Sequence, residues 1–299
     1  MFFKSSLIWA GMLLSLASYG QRSIAPLGAL PMQNNSSFAG EGSGPRISSN
    51  IGFNSDYINF SQKRLITDVS YDQFVSGIHT GVGISTSYYN ENNGGGKASM
   101  YTIGAAIAPK FSIKGKVTIS PSLDFSFSRG DVYLDFRRYD GTELEYTYDY
   151  FRSRVGILVN TQKWYVGYSV DLYTNYKYSD DTIEARIGTP FKGFNSVLQL
   201  GYTFQRSTDA KFSFTPQIAF KIREQPQRFE DSLWERIKQV DFNFTFRHDK
   251  FIWGANGNGI HVGLQTQQIR VMLTNWIKDD NTYPYAGNLS FRYTFKKDK

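Results

Sequence analysis

Apolar and polar residues alternate along this chain with a period of two, over runs of about ten residues, and no other feature constrains the fold as strongly. Phe242, Phe244 and Phe246 share one face of a run whose other face is Asp241, Asn243, Thr245 and Arg247. Phe212, Phe214, Ile218, Phe220 and Ile222 oppose Ser213, Thr215, Gln217, Lys221 and Arg223. The same pattern sets Ile119, Leu123, Phe125 and Phe127 against Thr118, Ser120, Asp124 and Ser126. It also sets Trp164, Val166, Tyr168, Val170 and Leu172 against Gly167, Ser169 and Asp171. Leu198, Leu200, Tyr202 and Phe204 carry it further, and Leu289, Phe291, Tyr293 and Phe295 close the chain with it. Such runs are strands with two unlike faces. No segment after the N-terminus is apolar for long enough to span a membrane as a helix.

Alternation does not say where the apolar face points. A soluble sandwich turns it inward, whereas a membrane barrel turns it toward lipid. Three features favour the barrel. The runs are long enough to cross a bilayer at a tilt. Aromatics make up 16% of the 299 residues and gather near run ends, as interfacial girdles require. The polar face carries Gly, Ser, Thr, Gln and single charges, which suit a wet interior. Unpaired backbone is costly in lipid, so the sheet must close on itself. The expected fold is all-β, a transmembrane antiparallel barrel of about 12–14 strands. Pro121 and Pro216 sit inside otherwise good strands, where a bulge or a strand end must accommodate the missing donor. Residues 231–239 read as a short helix before the strand at Val240.

The N-terminus points to the same compartment. Lys4, the apolar run Leu7 to Leu16, and small residues at Ser18 and Gly20 make residues 1–20 a predicted signal peptide. Residues 21–45 then lead into a barrel over 46–299. The chain has no cysteine, so it has no disulfide, thiolate nucleophile or lipidated cysteine. That suits an exported bacterial envelope protein better than a small stapled domain. The net charge of +7 is scattered rather than clustered, which gives no nucleic-acid partner.

Turn signals fall at Asp140-Gly141, Asp180-Asp181, 225–230, 256–259 and 279–284, with a Gly-rich loop at 90–97. Gly94-Gly95-Gly96 lacks the spacing of a phosphate loop. Candidate chemistry is sparse. His79 falls on the polar side of the run from Ile78 to Tyr89, His248 ends a strand beside Asp249, and His261 faces the polar side. No spacing ties any of them to a serine nucleophile. Asp140, Glu143, Glu145 and Asp149 form an acidic, tyrosine-rich patch without calcium-loop spacing, read as a solvated loop or lumen wall. The expectation is therefore no catalytic residue, no metal and no cofactor.

Short motifs give the function its content. Asn35-Ser36-Ser37-Phe38-Ala39-Gly40 resembles the N-P-A-F/Y-A-G opening of the PorP/SprF family of Bacteroidetes outer-membrane proteins, with Ser36 at the family's proline. Tyr165 to Ser169 resembles a recurrent Y-x-G-x-S strand of that family. Phe251 to Gly254, Ile260 to Leu264 and Gln268 to Val271 look like its late hairpins. Gly287 to Phe295 resembles its final strand, though Gly287-Asn288 replaces a frequent His-Glu pair and Lys296 to Lys299 follow the last aromatic. The resemblance spans the mature chain. It implies a non-enzymatic barrel of the type IX secretion and gliding-motility machinery in the cell outer membrane. Its implied partners are outer-membrane lipid, a secreted cargo or adhesin, and other secretion components. Asn35, Phe38, Ala39 and Gly40 are the motif residues with an expected structural or partner role. Two other readings stand beside it: a channel for a small solute, and a hydrolase built on one of the histidines.

Overall fold

The computed structural model describes residues 32, 35–42, 44–55, 62–93, 96–135, 143–178, 195–205, 211–223, 237–256, 259–276 and 285–295. The predicted leader lies outside them, as do the turn pairs Asp140-Gly141 and Asp180-Asp181 and the links at 225–230 and 279–284.

The described chain is one antiparallel sheet closed on itself as a barrel of fourteen staves. The first half comprises β1 (Arg46–Ser55), β2 (Gln62–Val75), β3 (Thr80–Asn93), β4 (Gly96–Pro109), β5 (Phe111–Ile113), β6 (Val117–Asp135), β7 (Glu143–Asn160) and β8 (Trp164–Tyr178). The second half comprises β9 (Asn195–Tyr202), β10 (Phe204–Gln205), β11 (Phe212–Arg223), β12 (Ile237–His248), β13 (Phe251–Asn256), β14 (Gly259–Gln265), β15 (Ile269–Trp276) and β16 (Tyr285–Thr294). The β4–β5 and β9–β10 pairs are each one interrupted stave. Closure comes from β16 on β1, running from Arg46 opposite Thr294 to Ser55 opposite Tyr285. With no open edge, every stave has a ladder on both sides, the condition for a sheet in lipid.

The faces are those of a barrel turned inside out relative to a soluble protein. Ile84, Ile103, Phe125, Val262 and Leu273 point outward and are exposed, while Asn50, Ser120, Thr274 and Asn288 point inward and are buried. Outward aromatics stack near one rim: Phe214 lies 4.6 Å from Phe246 and 5.9 Å from Phe204, and Phe246 lies 6.1 Å from Trp253. This is an interfacial girdle. At the same rim the staves join through tight turns, including Ser76–Ile78, the turn at Lys114 and Gly115, and that at Asp249. The connections at the opposite end, such as 136–142, 179–194 and 224–236, are longer in sequence. Short turns mark the periplasmic end.

Both prolines are accommodated in the same way. The β4 ladder on β6 ends at Leu123 and β5 resumes at Ile119, so Pro121 faces the gap. The β9 ladder on β11 ends at Gln217 and β10 resumes at Phe214, so Pro216 faces a second gap. The neighbouring stave breaks where the proline has no N–H to offer, and on its other side it stays paired. Lys110 N donates to His79 O at 2.8 Å, and Thr203 N to Lys163 O at 2.6 Å.

Two expectations are corrected. Ile237–Gln239 belong to β12 rather than to a helix, since strand pairing with Lys221 and Ile222 of β11 overrides the local preference; 231–236 lie outside the described residues. His79 is not in a strand: it caps the β2–β3 turn with φ +49° and is exposed, because the reversal consumes Ser76–Ile78 before β3 begins.

Candidate functional site: the lumen and the segment seated in it

The N-terminal motif residues lie inside the barrel. Ser36–Phe38 form one turn of 3-10 helix, and Asn35 caps it by accepting from Ser37 N at 3.0 Å. Asn35, Ser36, Ser37 and Ala39 are buried. The turn satisfies its own backbone, so a short segment with no sheet partner can lie in the lumen at little cost in unpaired groups.

Two ion pairs fasten its C-terminal part. Asp72 on β2 takes three bonds from Arg46 at the start of β1, the shortest 2.7 Å, and also accepts from Gly40 N at 2.8 Å. Arg46 reaches on to Phe38 O at 2.9 Å. Both partners are almost fully shielded, at 8% and 4% side-chain exposure, so neither charge is relieved by water if the other is lost. On the other side, Lys110 Nζ donates to Glu41 Oε1 at 2.6 Å and to Ser37 O at 2.9 Å. Asn160 also donates to the Glu41 carboxylate.

On the N-terminal side of these anchors the contacts are close. Ser122 Oγ on β6 lies 2.8 Å from Ser36 Oγ and 2.7 Å from Ser37 Oγ. Asn35 Nδ2 donates to Tyr168 O at 3.4 Å, and Phe38 packs edge-on against Tyr165 at 5.3 Å. Glycines make the room. A Cβ on Gly81 would fall 2.0 Å from Ala39 O, one on Gly156 2.7 Å from Asn35 Oδ1, and one on Gly167 2.9 Å from Asn35 Nδ2. Gly40 itself has φ +68°, where a side chain is strained. The segment thus touches seven consecutive staves: β1, β2, β3, β4–β5, β6, β7 and β8.

Asn35, Phe38, Ala39 and Gly40 are therefore brought together, each with a distinct contact. Of the residues that receive them, Gly167 belongs to the Tyr165–Ser169 motif, whereas Gly81, Gly156, Ser122, Lys110, Asp72 and Arg46 carry no motif of their own. Their one sequence signal is that they are small or charged and lie on the polar face of strands.

The remaining candidates do not converge. His79 and His248 are exposed at the periplasmic rim, and His261 is buried in the lumen wall with Nε2 3.3 Å from Thr245 Oγ1. Glu143, Glu145 and Asp149 belong to β7, and Asp149 pairs with Arg129 at 4.0 Å in an exposed position. Asp140 lies outside the described residues. Among the described residues no group of three or more His, Asp or Glu side chains is placed to hold a metal. Asn256 Oδ1 accepts from Gly259 N at 2.9 Å, as a turn residue does.

Comparison with solved structures gives the fold. The chain is similar to a monoaromatic hydrocarbon channel, CymD, at 9% identity and TM-score 0.52, over 94% of this chain and 99% of that one. It is similar to the toluene transporter TbuX of Ralstonia pickettii at 11% identity and TM-score 0.50, over 93% and 97%. The translocator domain of the autotransporter NalP of Neisseria meningitidis aligns at 10% identity and TM-score 0.47, over 90% and 93%. No curated protein matches the sequence. The profile of the family described as "Type IX secretion system membrane protein PorP/SprF" matches residues 31–297, a span that begins just before the lumen segment and ends after the last strand. The chain, an outer-membrane β-barrel, belongs to the PorP/SprF family of type IX secretion system membrane proteins.

Proposed function

We propose that this barrel is a non-enzymatic docking body of the type IX secretion machinery that assists export or surface attachment of a partner cargo protein, such as an adhesin. The carrying observation is the N-terminal segment held inside the lumen against seven consecutive staves. A barrel with its own N-terminal segment seated on one lumen wall acts as a rigid scaffold, and recognition then falls to its rims and loops. In this reading residues 1–20 are the export leader, and Asn35, Phe38, Ala39 and Gly40 hold the segment that closes the barrel. Deleting the gene tests it: a surface adhesin disappears from the cell exterior while uptake of small solutes is unchanged. Normal surface display in the deletion strain would overturn it.

A second reading, a channel for a small solute, is favoured by the polar lumen wall, where Asn50, Asp68, Ser126 and Gln199 are buried. The solved neighbours named for toluene and monoaromatic hydrocarbons lend no solute to it, because this wall is hydrophilic. Steady conductance of the purified full-length barrel in planar bilayers, with unaffected surface display, would select this reading. A hydrolase would require at least one of His79, His248 and His261; an active variant lacking all three would eliminate it.

A further inference from the structure

We propose that the lumen cavity between the N-terminal segment and the extracellular mouth is a binding site for a carboxylate-bearing sugar. The cavity is about 420 Å³, and Met32 and Ser36 of the N-terminal segment contribute to its lining. That volume falls in the range of small-molecule sites. Ser85, Ser87, Thr102, Ser126 and Ser128 supply hydroxyls from three neighbouring staves, and Tyr148 and Tyr150 add ring faces from a fourth. Such a wall matches a ligand with many hydroxyls and flat C–H faces. The apolar part of the lining is Met32, Met100, Ala105, Ala106 and Phe125, and Phe125 turns its exposed ring to the outer face of the barrel.

Charge narrows the class further. Arg154 is engaged by Asp171 at 2.8 Å, and Asp68 accepts from Asn50 at 3.4 Å. Arg152 lines the same cavity, and its Nε is shielded from solvent with no hydrogen-bond partner among the described residues. A guanidinium that lines the cavity is suited to pairing with a carboxylate. Asp68 and Asp124 line the same space and disfavour a dianion such as phosphate. One carboxylate among many hydroxyls, as in a uronic-acid unit, satisfies both constraints. This site does not depend on the export role.

The test is calorimetric titration of the full-length barrel in detergent micelles. The probes are a glucuronate-containing disaccharide, its neutral glucose counterpart and an acidic dipeptide. The uronate disaccharide should bind at least about tenfold more tightly than the other two, the effect of one charge-assisted contact. Arg152→Gln should lose that margin, and Thr102→Phe should remove binding by filling the cavity while leaving the charges in place. Arg129→Gln, on the exposed face of β6, should bind as the parent does. Each variant is first checked for the heat-dependent electrophoretic shift of a folded barrel; if Arg152→Gln fails it, Thr102→Phe decides. No binding to the parent at millimolar ligand, equal or tighter binding of the dipeptide, or full binding by folded Thr102→Phe would each overturn the proposal.

Discussion

The two halves of the lumen wall treat the same kinds of side chain differently. On β1 to β8, one group of inward side chains is matched to the N-terminal segment, Ser122 to Ser36 and Ser37, Lys110 to Glu41 and Asp72 to Gly40, while Arg64 Nε, Arg152 Nε and Asn160 Oδ1 have no hydrogen-bond partner among the described residues. On β12 to β16, Arg247 Nε, His261 Nδ1, Arg270 Nε, Thr274 Oγ1 and both side-chain polar atoms of Asn288 have no hydrogen-bond partner among the described residues. Arg270 and Arg292 even stand opposite one another in register. The first wall has a definite partner built into the chain, while the second keeps open hydrogen-bonding capacity for water or solute. One polar face thus serves two purposes, and the difference lies in what packs against it.

Breaking the first wall should cost far more than altering the second. Asp72→Ala strands the buried Arg46 and frees Gly40 N, and should lower the unfolding free energy in urea by about 3–5 kcal/mol. Gly81→Ala drives a methyl into Ala39 O, and should cost about 1–3 kcal/mol while exposing the segment to protease added at the periplasmic face. Phe38→Leu keeps the apolar bulk but loses the edge contact with Tyr165, for about 0.5–1.5 kcal/mol by the same denaturation. Thr274→Val removes a buried hydroxyl that has no partner on the second wall, and should change stability by no more than about 0.5 kcal/mol. If Thr274→Val cost as much as Asp72→Ala, the distinction between the walls would collapse.

The barrel was legible because its signal is local. Phe242, Phe244 and Phe246 declare a face within five residues, and the structure places that face outward. The prolines were legible as irregularities, but their solution lies in the neighbouring staves, which no reading of β6 or β11 alone supplies. His79 was misplaced because a turn and a strand begin with similar polar residues, and only the left-handed φ separates them. The lumen segment was the least legible feature. Asn35 to Gly40 stood out as a motif, yet its partners lie far along the chain: Ser122 is 85 residues beyond Ser37, and Asn160 is 119 beyond Glu41. A wall glycine such as Gly156 looks like any other small inward residue until the atom that fills its missing Cβ is known.

Because the native chain has no cysteine, the central claim can be tested by a single crosslink. Ser37 and Ser122 place their hydroxyls 2.7 Å apart, whereas Thr274 stands on the opposite wall. Full-length barrels carrying Ser37→Cys with Ser122→Cys, or Ser37→Cys with Thr274→Cys, are oxidised in intact outer membranes and examined on non-reducing gels. The account predicts near-complete crosslinking for the first pair and none for the second. Equal crosslinking of both pairs, or of neither, would contradict a segment seated on the β1–β8 wall.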